Sequence, residues 1–406
     1  MRNDICPVIL GGDASSYPMA REFNEAYGVR SICVAPLPIR IITKSNFIDV
    51  CATKSMDADS LRSAICSIAN EHSSQKVILI ANSDAVVERV EGIAQDFPSN
   101  VLCSLPPREP MLRASNKASF AAMCAEYGLD CPRTETVCLK GSEPIAPSEI
   151  GFPLIAKPAE SSAEYFLLYA KGFKKVYMIR SQSELDQLWA SLRAEGYEGD
   201  FVVQELIDGD DTYVDMITAY VNRNSKVTML ASAQVLLEDH SPALMGNPVA
   251  MITRPMPELW EKVSNMLEGI GWYGFANFDL KRDPKTGRCL FLDFNPRLGA
   301  NSYYACVGGV NPMQVLVNDF VDKNDEVLKV DQKGIYTRTR TKLIRRYLLD
   351  DTLRSEFDEV VRSGRVGNPM RYSKDSVASR AIGKVMEANF DRKFAKYYPH
   401  PTRDSF

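Results

Sequence analysis

Histidine is nearly missing from this chain: among 406 residues only His72, His240 and His400 occur. A histidine general base or a histidine-ligated metal is therefore disfavoured, and chemistry by positioning and charge neutralisation is favoured. The ten cysteines are scattered singly, without a Cys-x-x-Cys pair. They read as small buried hydrophobes in a reducing compartment rather than as disulfides or a zinc site. No apolar run approaches bilayer length, and Met-Arg-Asn-Asp-Ile-Cys at the start has neither the apolar core nor the cleavage site of a signal peptide. The expectation is a cytoplasmic protein without a transmembrane segment. A net charge of −4 gives no general pull toward nucleic acid or anionic membrane. There is no G-x-G-x-x-G fingerprint, internal repeat or low-complexity linker. What is present, 45% hydrophobic and 25% charged residues, is ordinary for a soluble globular enzyme of two or three associated domains.

The pattern along the chain predicts an α/β unit followed by an α+β unit. Pro7–Gly12, Ser31–Ala35 and Lys76–Ala81 read as buried strands. Helices over Ser16–Tyr27 (closed by Gly28), Asp59–Asn70 and Ala85–Asp96 separate them, which predicts a parallel, doubly wound domain over about residues 1–105. The turn Gly11-Gly12-Asp13 at a strand end suits a ligand at the switch point, and it equally suits a plain tight turn. Ser115 or Asn116 caps a predicted helix ending at Tyr127 and Gly128. Strands follow around 152–157, 175–179, 201–207, 215–221 and 227–233, with helices over 183–195 and 258–270. Strand follows strand directly here, so antiparallel pairing is expected. From about Gln332 the chain becomes basic, with Arg338, Arg340, Lys342, Arg345 and Arg346 close together. This segment reads as a solvated helical cap or as a docking surface for an acidic or phosphorylated substrate.

The most informative stretch is Gly274-Phe-Ala-Asn-Phe-Asp-Leu-Lys281, a turn, and Cys289-Leu-Phe-Leu-Asp-Phe-Asn-Pro-Arg297. Both halves alternate polar and apolar residues, the period of a strand with one wet and one buried face. Asn277, Asp279 and Lys281 share one face, as do Asp293, Asn295 and Arg297. Ala276, Phe278, Leu280, Leu290, Leu292 and Phe294 are expected on the buried side. With Asp283–Gly287 as a short hairpin loop and Gly287 left-handed, Asp279 and Asp293 fall opposite each other. Two facing carboxylates and the Asn295 amide oxygen form an all-oxygen cluster suited to Mg2+ and substrate phosphates. The plainer alternative is a hairpin with a solvated acidic face.

Lys157 is a lone charge in the apolar run Pro153-Leu-Ile-Ala-Lys-Pro158, and phosphate oxygens would partner a desolvated ammonium there. An ordinary surface lysine is the alternative. Glu160–Ala163 could form a small-residue lid over phosphates. Val202–Ile207 running into Asp208-Gly-Asp-Asp211 reads as a strand leaving through an acidic turn, whose backbone can read an adenine edge and whose carboxylate can accept from ribose.

Taken in order, Lys117, Lys157, Gln204-Glu205, the acidic turn, and Asp279, Asp293 and Asn295 resemble the ATP-grasp ligase superfamily over about residues 105–320. The fold that this implies is an ATP-grasp architecture, α/β and α+β, with an N-terminal parallel βαβ (pre-ATP-grasp) domain. The expected division is an N-terminal domain over 1–105, an ATP-grasp domain over 106–325 with a small lid subdomain at about 150–210, and a basic helical extension over 326–406. By the resemblance Lys117 and Lys157 contact ATP phosphates, the backbone of Gln204, Glu205, Leu206 and Ile207 holds adenine, and Asp211 holds the ribose. Asp279, Asp293 and Asn295 coordinate two Mg2+ ions, for which Mn2+ can substitute, and Arg297 steadies the transferred phosphoryl group. Arg297 and Lys157 are thus the expected catalytic pair. One departure is Asn277, where many D-alanine ligase relatives carry arginine; another is Asp293, where glutamate is commoner.

Ile9-Leu-Gly-Gly-Asp13, Met19–Gly28, Leu236-Leu-Glu-Asp239, Met245-Gly-Asn247 and Tyr273–Asp279 look more narrowly like D-aspartate ligases of Gram-positive cell-wall synthesis. That resemblance implies ATP activation of the D-aspartate side-chain carboxylate and capture by a lysine or ornithine amine of a peptidoglycan precursor. The expected partners are thus an amino acid and a peptidoglycan precursor peptide, with no nucleic acid; a homodimer is one arrangement this allows. Gly12, Asp13, Arg254 and Ser302 are candidate substrate residues, and Arg254, Arg297 and Ser302 are candidates for the unreacted α-carboxylate. An ATP-grasp ligase for another amino acid and a small amine, or a non-catalytic ATP-binding regulator, are the alternatives.

Overall fold

Continuous apolar runs at β1 (Ile5–Leu10), β2 (Ser31–Ala35) and β4 (Lys76–Ala81) build the centre of a parallel sheet, because strands covered on both faces need no polar alternation. With β3 (Ile48–Ala52) and β5 (Val101–Leu102) the order is β3-β2-β1-β4-β5. This computed structural model describes residues 2–159 and 163–404, apart from the side chains of Lys117, Ala118 and Ala163. The first helix spans Ser16–Tyr27 and ends at Gly28, whose φ of 68° turns the chain while its N–H reaches Asn24 O. Strand β3 escapes sequence reading because it is an edge: Ile48 is its only buried residue, so no period emerges.

A small antiparallel sheet follows, from β6 (Thr134–Cys138), β7 (Leu154–Pro158), β8 (Tyr177–Ile179) and β9 (Asp200–Glu205), in the order β6-β9-β7-β8. Leu154, Ala156, Phe201 and Val203 pack with Leu185, Leu188, Trp189 and Leu192 of the helix Gln182–Ala194.

The large sheet comprises β10 (Val214–Val221), β11 (Val227–Asp239), β12 (Asn247–Thr253), β13 (Gly274–Arg282), β14 (Cys289–Asn295), β15 (Leu328–Lys329), β16 (Ile335–Thr337) and β17 (Val366–Gly367). Its order is β14-β13-β10-β11-β12-β16-β17, with β15 beside β11. Strand β11 continues past the expected end at 233 through Leu236 and Leu237, bending at bulges against β12. The segment after residue 326, expected to be helical, holds the helices Thr341–Tyr347, Asp351–Arg362 and Val377–Tyr397. It also adds three strands of two or three residues, too short to show a period. Among the described residues no helix is long and apolar enough to cross a membrane.

Candidate active site

The hairpin β13–β14 carries the acid pair in the register that its alternation predicts: Asp279 lies opposite Asp293, and Asn277 opposite Asn295. The turn is pinned by Asp283, whose carboxylate accepts from Lys285 N (2.8 Å) and Thr286 Oγ1 (2.7 Å), and Gly287 has φ 71°. One detail differs from the sequence reading. A bulge follows the Asp279–Asp293 pair, so Phe291 pairs with Leu280 and packs on Phe278, while Leu292 is only half-buried.

Lys157 arrives from β7 of the small sheet with Nζ 3.3 Å from Asp293 Oδ2. The small sheet thus reaches the acid edge of the large one through this ion pair. Asn295 Nδ2 donates to Asn277 O (3.4 Å), and its Oδ1 accepts from Arg297 Nη2 (3.4 Å). Arg297 Nε stands 2.8 Å from Oδ1 of Asp84, the first residue of the helix Asp84–Ile93 on the N-terminal sheet. Asn277 is buried: its Oδ1 accepts from Thr218 Oγ1 (2.8 Å), which in turn accepts from Tyr304 Oη (2.8 Å). That chain fills the position with neutral hydrogen bonds.

Two further lysines join this face: Lys281, which the strand alternation already set beside Asp279, and Lys175, which sequence reasoning missed. Lys175 Nζ donates to Asn247 Oδ1 at 3.0 Å. Burial pushes its pKa down, while Asp279 and Glu238 favour its charge and Arg297 opposes it. Lys281 is likewise depressed by burial, against the pull of Glu238 and Asp211. Glu238 is itself pushed up to about 8 by burial and by the neighbouring Asp211 carboxylate. The one signal in the sequence for Lys175 was the Lys174–Lys175 pair ahead of an apolar strand, a pattern common on plain surfaces.

Other candidates fall elsewhere. Asp211 is buried, and its Oδ2 accepts from Glu238 N (2.8 Å) and pairs with His240 Nε2 (3.0 Å). His240 stacks on Tyr398, with ring centres 3.6 Å apart and planes at 9°. Asp211, for which the resemblance implies a ribose contact, binds the end of β11 and, through His240, the C-terminal segment. Gln204 Nε2 donates to Thr134 Oγ1 (3.0 Å), and Glu205 Oε1 accepts from Arg133 N (3.0 Å). The ladder ends at Glu205, so Leu206 and Ile207 lie beyond the strand. Lys117 opens the helix Lys117–Glu126, capped by Asn116 Oδ1 accepting from Ser119 N (3.0 Å); Ser115 instead ends the preceding helix. The Lys117 side chain and the lid residues Glu160–Ser162 lie outside the described residues.

The Gly11-Gly12-Asp13 turn is accounted for locally. A Cβ on Gly12 would stand 2.6 Å from Ala35 Cβ, and one on Gly11 would meet the Asn82 side chain at 2.2 Å. Asp13 Oδ1 accepts from Ser15 N (2.8 Å) and Ser15 Oγ (2.5 Å) at the start of the first helix. Arg254 is directed away from the acid pair. Its Nε donates to Gln234 Oε1 (2.6 Å) and its guanidinium grips Glu356. Gln234 pairs with Asp215, which pairs with Leu280, on the side of the sheet opposite Asp279. Ser302 Oγ donates to Glu22 Oε1 at 2.9 Å, in a buried contact between the first helix and the loop after β14.

The three-sheet arrangement is that of the ATP-grasp fold. The chain resembles biotin carboxylase from Campylobacter jejuni, solved with β,γ-ATP, with a TM-score of 0.58, 15% identity and coverage of 81% of this chain and 74% of that one. It also resembles N5-carboxyaminoimidazole synthetase from Staphylococcus aureus, solved with ADP (TM-score 0.60, 12% identity, 87% and 86%). For the L-amino acid ligase from Bacillus licheniformis the values are 0.50, 15%, 79% and 75%. These likenesses, all at 15% identity or below, define the class of fold, that of the ATP-grasp ligases. Within that class the chain is similar to the D-aspartate ligase of Enterococcus faecium (strain Aus0004), 29% identical over 411 residues and 97% of each chain. No family model matches the sequence.

Proposed function

We propose that the protein is an ATP-dependent carboxylate–amine ligase that activates the side-chain carboxylate of D-aspartate and joins it to the lysine or ornithine amine of a peptidoglycan precursor. In the first step a carboxylate oxygen attacks the γ-phosphorus of ATP, the bond to the β,γ-bridging oxygen breaks, and ADP leaves. In the second the amine attacks the acyl carbon, the carbon–oxygen bond to phosphate breaks, and the nitrogen sheds a proton as the amide forms. Neither step requires a histidine, because alignment and neutralisation of oxygen charge carry phosphoryl transfer.

The observation that carries this reading is the Asp279–Asp293 pair with Lys157 set across it from another sheet. Opposed carboxylates with Asn295 form an oxygen-donor set that fits Mg2+ or Mn2+, which would neutralise phosphate charge there. Among the described residues no group of three or more His, Cys, Asp or Glu could hold a metal alone, so phosphate oxygens would complete the shell. In this reading Lys117, Lys157 and Lys175 draw phosphate oxygens, Arg297 steadies the group in transit, and the backbone of Gln204–Ile207 borders adenine. The domains we infer run over 1–105, 106–325 and 326–406, and nucleotide and precursor both suit a cytoplasmic protein. The test is ADP release with D-aspartate, L-aspartate and D-alanine, with and without a muropeptide amine. Stimulation by D-aspartate far above the other two supports the donor; equal rates leave only the ligase class.

A further inference from the structure

Three buried polar atoms without hydrogen-bond partners among the described residues belong to one neighbourhood: Glu22 Oε2, Tyr336 Oη and Arg338 Nε. They come from three parts of the chain: the first helix, strand β16, and the residue just past it. Glu22 and Tyr336 are fully buried. The Tyr336 hydroxyl lies within electrostatic reach of both Arg338 and Glu22. Tyr336 pairs with Met251, and Val235, the other partner of Met251, follows Gln234 and so points to the side of the sheet that Asp279 shares with Met216. Arg338 stands just past the end of β16, at the margin of the sheet, where its N–H holds Val249 O at 2.8 Å. Its guanidinium carbon lies 5.6 Å from the Phe390 ring centre.

Glu22 is tied toward the acid pair as well. Its Oε1 accepts from Ser302, and Asn301, one residue earlier, contacts the sulfur of Met216, which sits opposite Asp279 in the sheet. Among the described residues Arg338 forms no ion pair, with Glu22 or with any other carboxylate. A fully buried carboxyl oxygen and a shielded guanidinium nitrogen on a half-buried arginine that do not satisfy each other are costly unless a ligand supplies both opposite charges. A simple anion would serve Arg338 alone. A zwitterion serves both.

We propose that Glu22, Tyr336 and Arg338 hold the backbone end of the donor amino acid, Arg338 and Tyr336 receiving its α-carboxylate and Glu22 its α-ammonium, which rests on the ligase reading above. Arg338 then takes the place expected of Arg254, whose guanidinium is spent on Glu356 and Gln234 across the sheet. Two charged anchors here, with the reacting carboxylate at Asp279 and Asp293, make three points of attachment, which is what discrimination between enantiomers requires. Burial pushes Glu22 up to about 8, so an arriving ammonium is what favours its charged form.

The test uses the full chain with hydroxylamine as a general amine, trapping the acyl phosphate as a hydroxamate, and compares D-aspartate with β-alanine, which lacks the α-carboxylate, and succinate, which lacks the α-ammonium. Arg338→Ala is expected to raise the KM for D-aspartate roughly 10- to 100-fold, the scale of a lost charged hydrogen bond. It should leave the KM for β-alanine and for ATP unchanged, and Arg338→Lys should recover part of the loss. Glu22→Gln should do the same with succinate as the insensitive substrate. Nucleotide binding by each variant verifies that it is folded. An Arg338→Ala enzyme that affects D-aspartate and β-alanine alike, or neither, overturns the proposal. If wild type instead responds to a different amino acid, the aspartate reading fails. The comparison then passes to that amino acid and its analogue lacking the α-carboxylate, where the same loss of discrimination is required.

Discussion

Replacing Lys157 with alanine separates a nucleotide-binding lysine from an ornamental one. The side chains of Lys157 and Asp293 are 18% and 32% exposed, and their atoms stand 3.3 Å apart. A part-buried ion pair at this distance, its attraction offset by desolvation, contributes about 1 kcal/mol to folding, so Lys157→Ala should lower the melting temperature by only a few degrees. Its worth to a bound triphosphate is larger, because a charge-assisted hydrogen bond to phosphate in a closed cleft contributes about 1.5–3 kcal/mol. That corresponds to a roughly 10- to 100-fold weaker Kd for a non-hydrolysable ATP analogue. AMP, which lacks the outer phosphates, should bind the variant as it binds wild type. Removing the lysine also frees Asp293 from a competitor, so Mg2+ should bind the nucleotide-free variant no more weakly than wild type. Calorimetry with the ATP analogue, AMP and Mg2+ tests all three. An unchanged Kd for the triphosphate, or a loss shared equally by AMP, would refute the reasoning.

Asp293→Asn should abolish turnover, measured as ADP release, while adenosine affinity changes less than about tenfold, since the amide keeps the shape but not the charge; metal-independent ADP formation would count against the site. Glu22→Gln should become more stable relative to wild type as pH rises. The folded Glu22 titrates near 8 against an ordinary 4.5, so the native state binds the extra proton and wild-type stability falls between those values. Melting curves at pH 5 and pH 9 should show a gap that opens with pH and exceeds about 1 kcal/mol at the upper end. His240→Ala should behave in the opposite sense. Burial resists charging His240, but Asp211, Glu238 and Asp239 outweigh it and raise its pKa. Its ionic contribution is therefore present at low pH and lost as pH rises through the folded value, so the variant should lose more stability at pH 6 than at pH 9. Equal losses at both would leave only the stacking on Tyr398.

The acidic hairpin was legible because its chemistry and its period coincide: a strict alternation sets Asp279 and Asp293 on one face, and a two-residue period fixes their register. The bulge that exchanges Leu292 for Phe291 was not legible, since both are apolar and either satisfies the pattern. The first helix was legible to the residue, from Ser16 to the left-handed Gly28. Asp211 shows the opposite case. Its place in an acidic turn suggested exposure, and only the chain's return through His240 and Tyr398, some thirty and nearly two hundred residues later, buries it. Glu22 and Tyr336 were invisible for the same reason, and Arg338 stood out only as one of a cluster of basic residues. Each is unremarkable in its own segment, a glutamate in an amphipathic helix and a tyrosine and arginine in a basic stretch, and only tertiary packing leaves a polar atom of each buried and unpaired.

Two kinds of charge meet on this face, and the difference bears on how a ligand enters. Lys157 with Asp293 joins two sheets, and Arg297 with Asp84 joins the loop after β14 to the start of a helix on the N-terminal sheet. On the proposed function a nucleotide must part the first pair, giving phosphate to the lysine and a cation to the aspartate. Phosphoryl transfer likewise asks Arg297 to exchange the Asp84 carboxylate for a phosphoryl oxygen. Each charge passes from one partner to another, so little desolvation goes uncompensated at any stage. Glu22 Oε2 and Arg338 Nε have no such interim partners among the described residues, Glu22 keeping only the Ser302 hydroxyl on its other oxygen and Arg338 only the Phe390 ring. Their desolvation is borne by the folded protein before the donor arrives and is relieved only by a ligand of the right charge pattern. Partner exchange at the nucleotide end favours ready binding and release of a common metabolite, whereas unpaired charges at the amino-acid end penalise every occupant that fails to match both. Selectivity should therefore reside at Glu22 and Arg338, and phosphoryl chemistry at the hairpin.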